Sequence, residues 1–315
     1  MYEKTPACDL FPNIINQCEQ CLKHRHMPNE RFCIEIDFSG FSTPYVDLAS
    51  KKVRINNFFM AYLWCLTYSL VVCTESIMMH ALENGGNREG YEWDGKLPDN
   101  TIFADAQKMF GIAMEFIKNH NLWTQKDPNP SYEKNSVLKD IEDTSYWCRK
   151  VNSVFIDSVV MLLIHEITHL EKRHKPYSQN LTGEESIESI NQEREADEAG
   201  IDYCETYGLN ASSKDPNIKY LPAILPFLAM IFLPNALKAQ KTHPDVDSRL
   251  NQVLCKYNDL YLDKETSWID YLISIALVSA LKNQHNKVMP LKHQTAREAI
   301  ECYRVAIQSS IDASR

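Results

Sequence analysis

The pentapeptide HEITH, residues 165–169, combines the residue types that hold a catalytic metal ion in many hydrolases. On a helix, His165 and His169 lie four residues apart, so both rings project from one face and can reach the same ion. Glu166 points to the adjacent side, where a carboxylate can take a proton from a metal-bound water. Buried helices also contain this pattern by chance, so a zinc site needs a third ligand elsewhere in the chain.

The residues directly after HEITH do not provide that ligand. One class of HExxH peptidase, the metzincins, needs a glycine three residues after the second histidine and a ligand six residues after it. Lys172 and Lys175 occupy those positions, which excludes that class. His174, five residues after His169, would lie on a different face of a continuing helix, and we expect it to be a surface residue.

The segment QEREADEAG, residues 192–200, contains the better candidate for a third ligand. Glu193 can complete a zinc site of two histidines and one glutamate. Asp197, one helical turn later, can accept the free ring N–H of a ligand histidine and fix its tautomer. Ala196 and residues 199–201 give this predicted helix a small face that can approach the HEITH helix closely. The alternative is a solvated acidic face, which is our interpretation of Glu195, Glu198 and Asp202.

A third element follows in THPDVDSRL, residues 242–250. Many zinc peptidases use a histidine, tyrosine or arginine to stabilise the oxyanion that forms when water adds to a peptide carbonyl. His243 and Arg249 are the candidates for this catalytic role. A His-Pro pair in a loop that enters a helix is by itself only a turn signal. The element supports a peptidase site only because it follows HEITH and QEREADEAG in the chain.

A small sheet is predicted ahead of these helices. Apolar residues alternate with polar ones in RFCIEIDFSGF, residues 31–41, and a period of two is typical of a half-buried strand. PYVDLASKKVRI, residues 44–55, is interpreted as a hairpin with its turn near residues 49–52. We therefore expect antiparallel pairing, and KKVRIN is our candidate for an edge strand that pairs with an extended substrate.

Helical periodicity dominates the rest of the chain, with helices predicted over 58–82, 102–120, 150–173, 186–207, 266–284 and 293–313. Residues 84–100 and 124–136 are rich in turn formers and are predicted to be loops. The predicted fold class is α+β, mostly helical and zincin-like, with a small antiparallel sheet in the N-terminal part. We expect a single domain over 1–315, with an N-terminal lobe to about residue 175 and a helical C-terminal lobe from about residue 176.

Composition limits the classes of partner. The 315 residues are 44% hydrophobic and 24% charged, as in ordinary soluble globular proteins. The net charge of −9 gives no basic surface for a nucleic acid and disfavours adhesion to an anionic membrane. The segment MYEKTPACDLFP places charges and prolines where a signal peptide needs an apolar run, so we expect a cytoplasmic protein.

Ten cysteines fit a reduced compartment, where most of them would be small core residues. Cys18 and Cys21 form a close pair in CEQC. With Cys8 and Cys33 they could make a four-thiolate zinc site, but a single CxxC without a second pair is a weak signal. We therefore adopt core cysteines as the interpretation.

Two apolar stretches raise the question of a membrane span. Residues 55–74 reach the length of about 20 residues that a bilayer requires, but they include two asparagines and two tyrosines. Residues 220–237 hold three prolines, which would break a simple spanning helix. We expect both stretches to be buried core helices.

The order of HEITH, EREAD and THPxxxxR resembles that of gluzincin peptidases, and more closely that of the phage-exclusion peptidases of the Lit type. The similarity extends to VRINNFFMAYLWCLTYSLVV, residues 53–72, and covers roughly residues 30–255. The resemblance implies that the zinc ligands are His165, His169 and Glu193.

The resemblance also implies the roles of four further residues. Glu166 would be the general base, and Asp197 would support a ligand histidine from outside the metal site. His243 and Arg249 would face the cleft as oxyanion or substrate contacts.

The activity that the resemblance implies is endoproteolysis of a cytosolic protein in defence against phage. Translation elongation factor Tu is the substrate that it suggests, and a phage-derived activator is the partner that it suggests. Substrate choice depends on surfaces that diverge freely around a fixed zinc core. Three alternatives stay open: a membrane-associated gluzincin, a zincin-like sensor without proteolysis, and a structural helical protein with chance motifs.

Overall fold

A computed structural model describes residues 10–24, 32–83, 98–118, 146–176, 182–239, 242–259, 268–285 and 295–315. Within these ranges the chain forms three strands, β1 (Cys33–Asp37), β2 (Tyr45–Asp47) and β3 (Lys52–Asn56). It also forms nine helices there: α1 (Phe11–His24), α2 (Asn57–Glu83), α3 (Thr101–Lys118), α4 (Tyr146–Glu171), α5 (Gly183–Thr206), α6 (Pro216–Ile231), α7 (Val246–Asp259), α8 (Trp268–His285) and α9 (Ala296–Asp312). The predicted α+β class, mostly helical, is confirmed.

Each helix predicted from periodicity has a counterpart in this structure. The helix α1, which covers the CEQC segment, was not predicted from the sequence. The predicted loop at 124–136 and most of the one at 84–100 lie outside the described residues. The division into two lobes stays a prediction.

The sheet is mixed, which corrects the expectation of wholly antiparallel pairing. Its strand order is β1-β3-β2, with β2 antiparallel and β1 parallel to β3. The chain leaves β1, crosses to the far edge through residues 38–44 and returns as β3 in the middle. Gly40 allows this crossing with a left-handed φ of 91°, and the Asn56 side chain donates to its carbonyl. Because β3 is the central strand, KKVRIN cannot serve as an edge strand.

The strand β3 leads directly into α2, a helix that is apolar on all sides. Asn56 caps its first turn, where Oδ1 accepts the backbone N–H groups of Phe58 (2.9 Å) and Phe59 (3.1 Å). Two helical segments, Asn57–His80 and Lys150–Glu171, are long and apolar enough to cross a membrane by length and composition. However, 100% and 83% of their most apolar windows are buried inside the protein. Both segments therefore bury their apolar surface in the core.

The helix α6 is buried in the core despite two internal prolines, as the sequence analysis expected of residues 220–237. Pro226 has no N–H to offer the carbonyl of Pro222, one turn earlier. The hydroxyl of Ser158 on α4 donates to that carbonyl instead, at 2.9 Å. This bond ties α6 to the helix that carries HEITH.

The helices α4 and α5 run antiparallel and touch along one face of each. Residues four apart on α4 meet successive turns of α5, in the facing pairs Asp157 and Tyr203, Met161 and Gly200, and His165 and Asp197. A Cβ atom at Gly200 would lie 2.9 Å from both the backbone oxygen and Cγ of Met161. The missing side chain therefore lets the two backbones approach closely, as the small face at 199–201 predicted.

Candidate metal centre

The three predicted ligands, His165, His169 and Glu193, converge near the C-terminal end of α4. The Nε2 atoms of His165 and His169 lie 3.2 Å apart. The first lies 3.4 Å from one carboxylate oxygen of Glu193, and the second lies 3.5 Å from the other. In the part of the chain that the structure describes, these three residues are the only group with the spacing to hold a metal ion.

The spacing of these donors fits a tetrahedral metal. Bonds of about 2.0–2.1 Å to a tetrahedral ion separate neighbouring ligand atoms by about 3.3 Å. The two histidine nitrogens lie 3.2 Å apart, and each lies 3.4 or 3.5 Å from a different oxygen of Glu193. Glu193 Oε2 is also buried and accepts no hydrogen bond. A buried carboxylate oxygen without a hydrogen bond, facing two ring nitrogens, is the environment that a bound cation would satisfy.

Asp197 supports the first histidine from the side opposite the donors. Its Oδ1 lies 2.9 Å from Nδ1 of His165, and a carboxylate at this distance favours a proton on Nδ1, so that Nε2 can bind at the centre when the ring is neutral. Arg249 holds Asp197 in turn, with Nε donating to Oδ2 at 2.8 Å and Nη2 donating to Oδ1. The same guanidinium lies over the Phe227 ring and against the sulfur of Met230.

The role expected of Arg249, as an oxyanion or substrate contact, stays a prediction. Arg249 is 8% exposed, and its guanidinium donates to Asp197 and to the sulfur of Met230. In this structure Arg249 supports the site through Asp197.

Charge is balanced within this cluster. Burial disfavours the charged form of His165, but the carboxylates of Asp197 and Glu193 outweigh burial and raise its pKa to about 10. Burial would raise the pKa of Glu193, but His165 lowers it to about 2. Burial also opposes ionisation of Asp197, but Arg249 and His165 hold its pKa well below the usual range. The two buried carboxylates are thus balanced by the guanidinium of Arg249 and the imidazolium of His165.

Glu166 lies beside the three donors without belonging to them. Its Oε1 lies 4.0 Å from Nε2 of His165, and its carboxylate accepts the backbone N–H of Val46 on β2. Burial raises the pKa of Glu166 to about 7. A carboxyl group that titrates near neutral pH can both accept and return a proton.

His243 stands at the open side of the site. Its ring is 50% exposed, and Nε2 lies 3.5 Å from Oε1 of Glu193. Its Nδ1 lies 2.7 Å from the Thr242 hydroxyl, and Ser189 on α5 donates to the Thr242 carbonyl at 2.7 Å. The loop before α7 is therefore anchored to the helix that carries Glu193, and His243 can reach a group bound at the centre.

The structure corrects the expectation that His174 is a surface residue. The helix α4 ends at Glu171, and Arg173 adopts a left-handed φ of 56°. The chain reverses there, and the His174 N–H donates to the His169 carbonyl at 3.0 Å, as in a Schellman cap. His174 is 8% exposed, and its Nδ1 lies 2.9 Å from Nδ1 of His169.

Sequence reasoning missed this residue because the usual signal for such a cap is a glycine or asparagine, and here the residue is an arginine. Pro176 indicates that the helix ends before it, but it does not predict that the chain turns back and places His174 beside His169. Glu195, predicted to be only solvated, accepts from His174 at 3.1 Å and from Lys172 at 2.8 Å.

The cysteines do not form a second metal group among the described residues. Cys18 and Cys21 are buried in the core on α1, whereas Cys33 is exposed on β1. Cys8 lies outside the described residues. The interpretation of the CEQC cysteines as core residues therefore agrees with the structure.

A family model described as Peptidase U49 matches residues 53–269, more than half of the chain. This range includes HEITH, EREAD and THPDVDSRL together with the helices that position them. The chain has no significant match among curated proteins or among solved structures.

Proposed function

The chain belongs to the Peptidase U49 family, and we propose that its reaction is zinc-dependent hydrolysis of a peptide bond within a cytosolic protein. The observation that carries the proposal is the tetrahedral spacing of His165, His169 and Glu193 with Glu166 at their side. Two histidines and one glutamate are the ligand set of thermolysin-type catalytic zinc.

Zinc, when bound, supplies a water whose pKa falls from about 15.7 to about 7 and a positive charge for the developing oxyanion. Glu166 accepts the proton that the attacking water loses, and then donates it to the leaving amine. A pKa of about 7 suits both halves of that transfer near neutral pH.

His243 and Arg249 take different parts in this proposal. His243, half exposed beside Glu193, is placed to donate to the substrate oxygen as negative charge develops on it. Arg249 fixes Asp197, which fixes the ring of His165. We therefore keep the oxyanion role for His243 and assign Arg249 to positioning.

The edge strand β2 replaces β3 as the proposed docking site for an extended substrate. Among the described strands it pairs with β3 alone, and its Val46 N–H contacts the proposed base. An extended peptide that adds to this edge would bring its backbone alongside Glu166.

We propose a Lit-type role in phage defence, with elongation factor Tu as the first substrate to test. The support is the order of the three sequence blocks together with membership of the peptidase family. The proposal includes a cytoplasmic location and a phage-derived activator, since a peptidase that stops translation must stay inactive until infection.

The test compares wild type with Glu166→Gln after induction in bacteria, with and without phage infection. Wild type should produce a dominant new protein N-terminus, and Glu166→Gln should retain zinc yet lose that cut. A dominant cut in another protein would redirect the substrate assignment. Zinc binding without any cleavage would favour a sensor over a peptidase.

A second pair of variants tests the ligand set. Glu193→Ala should lose both zinc and activity, whereas Glu198→Ala, at an exposed position on the same helix, should retain both. Full zinc occupancy of Glu193→Ala would show that the ligand assignment is wrong.

A further inference from the structure

The two ligand histidines are supported by different kinds of outer partner. His165 turns its Nδ1 to the buried carboxylate of Asp197. His169 turns its Nδ1 to another imidazole, that of His174, at 2.9 Å. The two rings meet edge to face, with centroids 4.9 Å apart. A ligand histidine needs a proton acceptor at its outer nitrogen, and an imidazole serves only if its facing nitrogen carries no proton.

The partners of His174 determine the direction of these hydrogen bonds. Glu195 forms an ion pair with the ammonium group of Lys172 at 2.8 Å, and the oxygens of a carboxylate in such a pair can only accept hydrogen bonds. Nε2 of His174, 3.1 Å away, must therefore donate to it. In a neutral ring, Nδ1 of His174 is then an acceptor.

That acceptor fixes the tautomer of the ligand. The proton between the two Nδ1 atoms must belong to His169, so Nε2 of His169 keeps a free lone pair. This is the nitrogen that lies 3.2 Å from Nε2 of His165 and 3.5 Å from Glu193. The hydrogen-bond chain from Glu195 through His174 to His169 thus leaves Nε2 of His169 unprotonated and able to bind the metal.

We propose that His174 is a positioning residue of the metal centre, which holds His169 in the tautomer and orientation that bind zinc. The proposal rests on the zinc site of the proposed function. The left-handed turn at Arg173 and the backbone bond from His174 to the His169 carbonyl place the ring at the C-terminal end of α4.

The test is the zinc affinity of the metal-free protein, measured in competition with a chromophoric chelator and without substrate. His174→Leu removes the acceptor and should weaken zinc binding about 10- to 100-fold, as loss of other outer partners does. His174→Asn places an amide oxygen where Nδ1 stood and should recover most of that loss. Lys175→Ala, a change at the exposed neighbour that pairs with Glu188, should leave the affinity unchanged.

A second measurement separates positioning from a merely structural role. Imidazole ¹H–¹⁵N spectra of the zinc-loaded protein should show a proton on Nδ1 of His169 that is hydrogen-bonded to Nδ1 of His174. The signal of this proton should change in His174→Leu. Glu195→Ala keeps the ring of His174 in place and should weaken zinc binding less than His174→Leu. Thermal unfolding of each metal-free variant shows whether the fold is intact.

Wild-type affinity in a folded His174→Leu protein would overturn the proposal. So would a His174→Asn protein that binds zinc as weakly as His174→Leu. Neither measurement uses a peptide substrate, so either result is distinct from a failure to find cleavage, which would count against the peptidase reaction alone.

Discussion

The interface of α4 and α5 buries one aspartate near each end, and the two are held in opposite ways. Asp197, at the metal end, faces the guanidinium of Arg249 and the ring of His165. Asp157, at the far end, accepts from four neutral donors among the described residues: the Tyr203 hydroxyl at 3.0 Å, the backbone N–H groups of Leu209 (2.8 Å) and Asn210 (3.0 Å), and the Asn210 amide (2.7 Å).

The two pKa values move in opposite directions as a result. Burial raises the pKa of Asp157 because four neutral hydrogen bonds do not offset desolvation. Burial would do the same to Asp197, but the charges of Arg249 and His165 prevail and lower its pKa. A buried carboxylate therefore needs a cation to stay charged, and Arg249 provides that cation beside the candidate metal centre.

The largest effect is expected at the charged end. Asp197→Ala would leave the guanidinium of Arg249 buried and unpaired, and loss of one partner of a buried ion pair costs about 3–5 kcal/mol. Urea unfolding of the metal-free protein should show this loss. A change below about 1 kcal/mol would mean that water reaches Arg249 and that the pair is not desolvated.

A smaller loss is expected at the neutral end. Asp157→Ala leaves the Tyr203 hydroxyl and the turn after α5 without their acceptor, at about 3 kcal/mol, the upper end for unpaired buried donors. The loss should appear in the same unfolding series. Zinc affinity should fall less than in Asp197→Ala, because no donor to the metal touches Asp157. An equal fall in affinity would show that the two ends act as one unit.

Gly200, which lies between the two aspartates, allows a direct test of the close contact between α4 and α5. A methyl group at Gly200 would lie 2.9 Å from the backbone oxygen of Met161, so Gly200→Ala must push α5 away from α4. We expect a loss of about 1–3 kcal/mol in unfolding free energy and weaker zinc binding.

Gly111 on α3 is the matched control, since its Cβ would meet nothing within 4 Å. Gly111→Ala should stabilise the protein by about 0.4–1 kcal/mol and leave zinc affinity unchanged. Similar behaviour of the two alanine variants would contradict the close approach.

The residues that sequence placed correctly share helical periodicity. Because HEITH and EREAD each put two functional groups four residues apart, a helix places both on one face whatever surrounds it. The small residues after Asp197 likewise predicted the contact at Gly200, since close packing of helices needs a missing side chain.

The sequence could not predict contacts that depend on a chain reversal or a crossing. His174 reaches His169 only because Arg173 adopts a left-handed conformation that its residue type does not signal. Arg249 meets Asp197 across two helices, so no spacing in the sequence reveals the pair. The strand β1 pairs in parallel with β3 through a crossing at residues 38–44, whereas local alternation shows only that a strand exists.

The smallest expected effect is the pH dependence of the unfolding free energy, which should have opposite signs for the two aspartates. The lowered pKa of Asp197 gives stability that is present above the unfolded pKa of about 3.9 and is lost as pH falls through the folded value. The raised pKa of Asp157 gives stability that is present below about 3.9 and is lost as pH rises through the folded value. Neither slope can exceed about 1.4 kcal/mol per pH unit.

Unfolding of zinc-free wild type, Asp197→Asn and Asp157→Asn between about pH 3 and 5 measures both slopes, in a window below the unfolded pKa of histidine. The advantage of wild type over Asp197→Asn should grow as pH rises, because only wild type gains the charge that Arg249 stabilises. The advantage over Asp157→Asn should shrink, because the neutral hydrogen bonds to Asp157 do not offset the cost of burying its charge. If both differences in unfolding free energy changed with pH in the same direction, ionised Asp157 would be stable on neutral hydrogen bonds alone. The cation beside Asp197 would then be needed for the metal site and not for the charge of the buried carboxylate.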